Sequence, residues 1–295
     1  MFAGIVVAIG VALLLTREAG QTDYAAAIEE WRAGRLQRLT ADDGWLTVAG
    51  LFWLKEGDNR VGTGPGNDIV LPAGSAPAAV GVLSLRDGRA AFTADPAAVV
   101  TSAGRPVTTM TLKDDTAGPP DLLFVNDLTL FVIQRGDRHA IRLRDKNRQE
   151  RARFAGLTYF PIDRNYRVVA DWVPYDPPKT IPIPNVLGGT EDLPCPGYAR
   201  FRLEGREMRI EPVIEQPGDD ELFVIFRDAT AGVETYGAGR FLYAPMPEGG
   251  KIVLDFNKAY NPPCAFTPFA TCPLPPQQNI LPVRIEAGEK TYGTH

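Results

Sequence analysis

The sequence predicts a mainly β fold, with one N-terminal helix followed by a β-sandwich-like region and a second antiparallel β region. Glycine and proline, 29 and 26 of the 295 residues, interrupt the chain too often for long helices. Helical periodicity ends near Leu39, and short runs that alternate between apolar and polar residues follow. We therefore predict short strands joined by turns, in a chain long enough to bury a substantial core.

Composition and charge exclude several classes of protein. With 44% hydrophobic and 23% charged residues, the chain is neither disordered nor a polytopic membrane protein. Its 31 lysines and arginines against 36 aspartates and glutamates give a net charge of −5, so no basic excess indicates a nucleic-acid partner. Only two histidines are present, one of them C-terminal, and we expect neither a metal site nor a cofactor.

Residues 1–20 are predicted to be a signal or membrane-anchor segment. The run from Phe2 to Leu15 is apolar, and as a helix it spans about 21 Å, short of the roughly 30 Å of a bilayer core. This length suits a signal peptide, although no lysine or arginine precedes the run. The alternative is a buried N-terminal strand or helix. We expect an exported or membrane-tethered protein of the periplasm or cell envelope, which contacts the membrane only through this segment.

An amphipathic helix is predicted within residues 21–43, with Thr22 or Asp23 as its cap. One face of this helix carries residues at helical spacing, namely Tyr24, Ala27, Ile28, Trp31 and Arg35.

A first β region is predicted over residues 44–150. Its expected elements are an apolar run at 44–54, a turn-rich hairpin at 56–72, strands near 80–85, 90–92 and 107–112, two strands around Asn126-Asp127, and a strand through Ile141 and Leu143.

A charged stretch at residues 144–154 is the predicted boundary to a second β region over 151–295, as a linker or a polar helical turn. This second region is expected to form a hairpin that turns at Glu204-Gly205 and a strand at 282–288. The continuous apolar run 222–226 predicts a central strand that is buried on both faces.

Part of the first β region resembles the forkhead-associated family, a β-sandwich that binds phosphothreonine. The resemblance covers about residues 50–115 and rests on DNRVGTGPGNDIVL (58–71) and SAGRPVTTMTLKDD (102–115). The family places a phosphate-binding arginine after the hairpin glycine, whereas Thr63 follows Gly62 here, and Ser75 is not followed by the family's histidine. A phosphate needs fixed cationic and N–H donors, so we do not expect this chain to bind phosphothreonine peptides.

Longer strings of sequence resemble the bacterial domain of unknown function 1684 family. They are FRDATAGVETYGAGRFLYAP (226–245), LDFNKAYNPPCAF (254–266), TCPLPPQQNILPVRIEAGEK (271–290), GWLTVAGLFWLKEG (44–57) and QRGDRHAIRLRD (134–145). The similarity runs from about residue 30 to residue 291. It implies relatives with no established activity, and it leaves the function open.

Polar residues at the ends of apolar strands are the candidate site. In IVLDFNK, strand alternation places Asp255 and Asn257 on one face, and Asp228 follows the apolar run 222–226. The loop after Asp228 carries three further candidates, Glu234, Tyr236 and Arg240. If the strand ends are neighbours, these side chains converge on a pocket for a small polar or anionic ligand, with Arg240 as its anchor. The alternative is structural, with the Asp and Asn side chains capping turns and Arg240 pairing only with Asp228.

Two of the three cysteines, Cys264 and Cys272, flank a short loop and can form a disulfide if the chain is exported. Cys195 is far from both in sequence. Zinc needs four ligands, which three cysteines and the single internal histidine, His139, from distant segments supply poorly. A catalytic thiol has no histidine near it in sequence.

These observations favour an uncharacterised cell-envelope protein that binds a small polar or anionic ligand in its C-terminal β region. One alternative is a hydrolase-type enzyme with Asp228 or Asp255 as its base. Another is a non-catalytic interaction scaffold that uses the forkhead-like surface. The sequence leaves open whether the protein is an enzyme.

Overall fold

The structure, a computed structural model, describes residues 23–293 and confirms the mainly β fold. The chain forms two compact units. The N-terminal unit contains residues 39–155 and 266–271, and the C-terminal unit contains residues 23–38, 156–265 and 272–293. The apolar run Phe2–Leu15 and the predicted cap at Thr22 lie outside the described residues. From residue 23 to residue 293, no helix is both long and apolar enough to span a bilayer.

The N-terminal unit is a β-sandwich. One sheet has five strands in the order β3-β2-β4-β5-β8, and the other has six in the order β1-β11-β10-β9-β6-β7. Both sheets contribute to one hydrophobic core, which includes Val61, Leu83, Leu130 and Ile141. The strands are β1 (Val48–Trp53), β2 (Gly57–Gly62), β3 (Ile69–Val70), β4 (Gly81–Arg86), β5 (Arg89–Ala94), β6 (Thr101–Ser102), β7 (Arg105–Pro106), β8 (Thr109–Leu112), β9 (Leu123–Val125), β10 (Leu128–Arg135) and β11 (Arg138–Asp145).

The predicted hairpin at residues 56–72 is wrong in one respect, because β2 and β3 pair in parallel. After β2 the chain bonds to a different segment: the Thr63 and Gly64 amides donate to the carbonyl oxygens of Pro77 and Ala78 at 3.1 and 3.0 Å. Strand β2 pairs antiparallel with β4 instead. The turn residues therefore direct the chain along the sheet edge without reversing it.

The C-terminal unit combines a helix with two sheets. A four-stranded sheet has the order β14-β13-β12-β17, and β15 and β16 form a two-stranded sheet. Helix α1 is described over residues 23–40, and Ile28 is buried on its inward face. The strands are β12 (Arg167–Pro184), β13 (Thr190–Leu203), β14 (Arg206–Ile210), β15 (Glu221–Phe226), β16 (Arg240–Pro245) and β17 (Lys251–Asp255).

The remaining helices are short. The charged stretch at residues 144–154 contains α2 (Gln149–Ala152), one turn long. Five 3-10 helices lie at Trp45–Thr47, Arg164–Tyr166, Phe256–Lys258, Pro263–Ala265 and Gln277–Asn279. Two of these, Arg164–Tyr166 and Phe256–Lys258, carry the candidate site described below.

Two predicted strands of the second region differ from the structure. Strand β15 is buried on both faces from Leu222 to Phe226, as predicted, but it is not central. It pairs with β16 on one edge, and its other edge bonds to Val213 through a bridge at Phe223 and to the Asn279 side chain at the Ile225 carbonyl oxygen. Residues 282–288 form no strand, although Ile285 and Ala287 are buried. We call residues 283–289 the C-terminal segment. Its backbone bonds to isolated backbone groups at Ala229, Phe160 and Ala259, and to the side chains of Asp228 and Arg240, instead of forming a ladder with a neighbouring strand.

Candidate functional site

The buried ion pair between Asp228 and Arg240 explains the missing strand. The Arg240 side chain is 1% exposed, and its Nη2 atom lies 3.2 Å from Asp228 Oδ1. The same guanidinium donates to the carbonyl oxygens of Ile285, at 2.9 Å, and Ala287. Asp228 in turn accepts the Ile285 amide at 2.7 Å and the Thr230 hydroxyl at 2.8 Å. The pair therefore replaces a β ladder along the C-terminal segment.

The path of the backbone around Gly239 fixes the position of Arg240. Arg240 is the first residue of β16 and lies opposite Phe226, two residues before Asp228. Gly239 has a φ of +110°, and a Cβ atom there would lie 2.5 Å from the Phe226 carbonyl oxygen. Glycine thus permits a close approach that no other residue allows. Burial lowers the pKa of Arg240, and the charge of Asp228 opposes that effect. Because the bonds of Asp228 and Arg240 are made within the core, the role of this pair is structural.

The two loop candidates, Glu234 and Tyr236, are held elsewhere. Glu234 forms an ion pair with Arg284, and both side chains are partly exposed. Burial raises the pKa of Tyr236. Neither residue lines the groove described below. A surface ion pair of this kind contributes about 0–1 kcal/mol to stability.

Asp255 and Asn257 contact each other as predicted, but within a turn and not along an extended strand. Strand β17 ends at Asp255, and the 3-10 helix Phe256–Lys258 follows at once. The Asp255 carboxylate caps this turn, accepting from the Asn257 amide at 3.3 Å, and the Asn257 Nδ2 atom donates to Asp255 Oδ1 at 3.2 Å. Leu254 and Phe256 remain fully buried. The turn, and not an extended strand, brings the carboxylate and the amide together.

Asn257 also joins this turn to a second one. Its Nδ2 atom donates to the Asp163 carbonyl oxygen at 2.8 Å, and its Oδ1 atom accepts the Asp163 amide at 3.0 Å. Asp163 caps the 3-10 helix Arg164–Tyr166 by accepting from the Asn165 amide at 2.8 Å. Since Asn257 is 0% exposed, it acts as a fixed clamp between the two turns.

Helix α1 contributes Tyr24 to the same cluster. The Tyr24 hydroxyl donates to Asp255 Oδ1 at 2.8 Å and accepts from Asn257 Nδ2 at 2.9 Å. Burial and, secondarily, the Asp255 carboxylate raise the pKa of Tyr24 well above its usual range. The guanidinium of Arg164 lies over the Tyr24 ring, 4.8 Å from its centroid. Tyr24 is therefore a neutral hydrogen-bond donor fixed at the edge of the cluster.

A groove opens above this cluster. Its volume is about 560 Å³, its walls are mainly polar, and it is lined by Asp23, Tyr24, Ala27, Arg164 and Arg167. Arg167 begins β12 directly opposite Asp255, and its Nε atom lies 4.0 Å from Asp255 Oδ2. The Arg167 side chain is 44% exposed. Cationic, aromatic and acceptor groups thus surround one open space, as binding of a small polar molecule requires.

The sequence identified only part of this site. Asp255 and Asn257 were expected there, but Tyr24, Arg164 and Arg167 were not. An Asp-x-Asn pattern at residues 163–165 is a local sign of a capped turn. Nothing local in the sequence indicates that helix α1 packs against residues more than 130 positions away.

The cysteines and the internal histidine lie outside this groove. Cys264 and Cys272 are joined by a disulfide, whereas Cys195 is a buried free thiol whose pKa is raised to about 11, mainly by burial. In the N-terminal unit, His139 is buried with its Nε2 atom 3.8 Å from Asp114. Within residues 23–293, no group of three or more His, Cys, Asp or Glu side chains is placed to hold a metal ion.

Comparison with known proteins matches this chain to a family and to several solved structures. The family described as "Protein of unknown function (DUF1684)" matches residues 152–290. The solution NMR structure of an uncharacterised protein from Haloarcula marismortui is 33% identical, with 48% of this chain and 80% of that chain covered and a TM-score of 0.41. No curated protein matches this chain.

Two forkhead-associated (FHA) domain structures are also similar. One is a crystal structure of the FhaA FHA domain in a complex, and the other comes from work on phosphothreonine-dependent FHA domain interactions. Each is 17% identical and covers 32% of this chain, with a TM-score of 0.23, and the match covers 97% and 92% of the two domains. We base no functional inference on these likenesses.

Proposed function

We propose that this chain, which belongs to the DUF1684 family, binds a small anionic, hydroxyl-bearing ligand in the groove between helix α1 and the start of β12. The observation that carries the proposal is the meeting of Asp23, Tyr24, Arg164 and Arg167 around one open space. Asp255 lies at its base, bonded to Tyr24 and 4.0 Å from Arg167. The candidate ligands are hydroxy acids and sugar acids.

The anionic part of such a ligand would be bound by the arginines. Arg167 is half exposed and lies at a loose 4.0 Å from Asp255, so its planar fork can turn to a ligand carboxylate. Arg164 is held against the Tyr24 ring, which limits the rotamer entropy it loses on binding. Bidentate arginine–carboxylate pairs are among the strong hydrogen bonds of proteins.

The hydroxyl groups of the ligand would be bound by carboxylate acceptors of the protein. Asp255 Oδ1 is occupied by Tyr24 and Asn257, whereas Arg167 is the ionic neighbour of Oδ2. Oδ2 can therefore accept a ligand hydroxyl, and Asp23 offers a second carboxylate at the groove wall. The Tyr24 ring supplies an apolar surface for the carbon skeleton.

Substitution of Arg167 tests this site. We expect Arg167→Gln to weaken binding of a sugar acid such as glucuronate by about tenfold to hundredfold, which is roughly 1.4–2.8 kcal/mol. Isothermal titration of the full chain against a panel of hydroxy acids and sugar acids measures the loss. The neutral counterpart, glucose, should bind more weakly than glucuronate to the wild type and equally to both proteins.

The matched control is Arg200→Gln. Arg200 belongs to the same sheet as Arg167, its side chain is 50% exposed, and it lies 3.7 Å from Asp171. It thus matches Arg167 in exposure and in its loose ion pair, but it lies outside the groove. Its substitution should leave binding unchanged. Equal losses in both variants, or no binding from the whole panel at about 10 mM ligand, would contradict the proposal. Hydrolysis of an ester or glycoside of a panel member would favour the hydrolase alternative.

We also propose that the protein acts in the periplasm or cell envelope, exported or tethered by its N-terminal segment. The Cys264–Cys272 disulfide supports this location, since disulfides persist in oxidising compartments. The apolar run at residues 2–15 is consistent with export.

The redox state of the cysteines in the cell tests this location. We expect protein trapped with an alkylating agent directly in cells to carry the Cys264–Cys272 link, seen by mass spectrometry as the loss of two hydrogens. Cys195 is buried, so it should react only after unfolding and serves as the internal control. Replacing both linked cysteines by serine should cost about 2–3 kcal/mol of stability, as expected for a short loop. Alkylation of Cys264 and Cys272 in freshly trapped cells would refute the location.

A further inference from the structure

Four arginines of strands β10 and β11 share one face of the six-stranded sheet in the N-terminal unit. Leu130 and Val132 of β10 and Leu143 of β11 face the sandwich core, so residues at alternate positions face the other side. The arginines there are Arg135 of β10 and Arg138, Arg142 and Arg144 of β11. The Arg138 guanidinium lies over the Trp53 ring, 3.7 Å from its centroid, and we call the other three the arginine cluster.

Arg142 is the most buried member of the cluster. It is 5% exposed, and its buried Nε atom has no hydrogen-bond partner. Arg144 is partly exposed, and its buried Nε atom has no partner either. Across residues 23–293, no carboxylate lies within ion-pair distance of Arg142 or Arg144.

Aromatic rings compensate the buried charges only in part. The Arg142 guanidinium lies 5.0 Å from the Trp45 ring centroid, and that of Arg144 lies 4.8 Å from the Phe131 centroid. A ring face does not replace an in-plane acceptor for an N–H group. Burying a charged donor without an acceptor is costly, so the open donors favour an anion.

Two guanidinium groups converge on Thr271. The Thr271 Oγ1 atom is 3.0 Å from Arg135 Nε and 3.3 Å from Arg142 Nη2. One carboxylate, Asp115, pairs with Arg135 at 2.8 Å, and the charge of Asp43 acts on Arg144 from outside ion-pair distance. Burial, together with the charges of Arg135 and Arg144, lowers the pKa of Arg142 to about 10, and Asp115 opposes this effect. Arg142 is still protonated at neutral pH, and the cluster keeps an excess of positive charge.

We propose that Arg135, Arg142 and Thr271 form a binding site for a tetrahedral oxyanion, either inorganic phosphate or the phosphate group of a small phosphomonoester. The oxyanion accepts from the unpartnered Nε–H of Arg142 and from Arg135, and the Thr271 hydroxyl donates to a further oxygen. Arg144 and Thr271 are partly exposed, so the anion reaches the cluster from solvent at this side. This site belongs to the N-terminal unit and is independent of the groove.

Arginine side-chain NMR of the full chain tests the proposal. Phosphate, added at constant ionic strength, should shift the Nε–H signal of Arg142, assigned by its disappearance in Arg142→Lys. The dissociation constant should be about 1 mM or below. Glycerol phosphate as a second titrant distinguishes the sources: tighter binding than inorganic phosphate indicates a phosphomonoester, and weaker binding indicates the free anion.

Variants separate this site from general charge effects. Arg142→Gln should weaken phosphate binding at least about tenfold, and Arg142→Lys should restore part of it. Arg89→Gln, which removes an exposed arginine of the same unit, should leave it unchanged. If Arg142→Gln does not fold, Thr271→Val and Arg135→Gln provide the same comparison. The proposal is overturned if chloride shifts the Arg142 signal as phosphate does, if no shift occurs, or if the cluster variants bind phosphate as well as Arg89→Gln does.

Discussion

Replacement of Arg240 by alanine should destabilise the C-terminal unit by about 3–5 kcal/mol, because it leaves the Asp228 carboxylate buried without its counter-charge. The same change removes the donors that hold the Ile285 and Ala287 carbonyl groups. Chemical denaturation of the full chain, monitored by spectroscopic signals that report separately on each unit, measures the loss in free energy of unfolding.

The control for this experiment is Arg200→Ala, which breaks an exposed pair with Asp171 and should cost less than about 1 kcal/mol. Arg240→Lys separates the structural role from a ligand-binding role. A lysine has one charged nitrogen and cannot reach Asp228 and two carbonyl groups together, so the variant should melt lower than wild type but bind groove ligands unchanged. Normal stability with weakened binding would show instead that Arg240 is a ligand anchor.

Replacement of Phe256 by alanine should also cost about 3–5 kcal/mol. Phe256 is fully buried, and its ring centroid lies 5.4 Å from that of Phe226 and 6.1 Å from that of Phe201. The residue stands between Asp255 and Asn257 in the 3-10 turn, so its packing also fixes the cluster under the groove.

Thermal and chemical unfolding measure this second effect, and Phe256→Leu should recover most of the loss because it refills much of the cavity. Val169→Ala is the control, since Val169 lies on β12, which pairs with the strand that precedes Phe256, and is 57% exposed. This substitution should change stability by less than about 0.5 kcal/mol. A Phe256→Ala protein as stable as this control would show that the aromatic contacts do not hold the turn.

Features that depend on neighbouring residues were predictable from the sequence. The mainly β fold follows from the frequency of turn residues and from alternating runs. The hairpin between β13 and β14 turns at Glu204-Gly205, whose φ angles of +51° and +75° suit residues of a tight turn. The sequence also placed Asp255 and Asn257 on one surface, since residues two positions apart meet in a strand and again in this capped turn.

Features that depend on distant partners were decided by the tertiary structure alone. The sequence left open whether Arg240 anchors a ligand or pairs with Asp228. In the structure Arg240 pairs with Asp228, and Asp255 contacts Tyr24 of the distant helix α1. The alternation at residues 282–288 indicated a strand, yet its backbone groups bond to Asp228 and Arg240. A sequence pattern shows which face of an element is apolar, but not which other element will cover it. The partners of buried charges and backbone groups are chosen when the units pack, because each such group must find a hydrogen bond there or carry the full cost of burial.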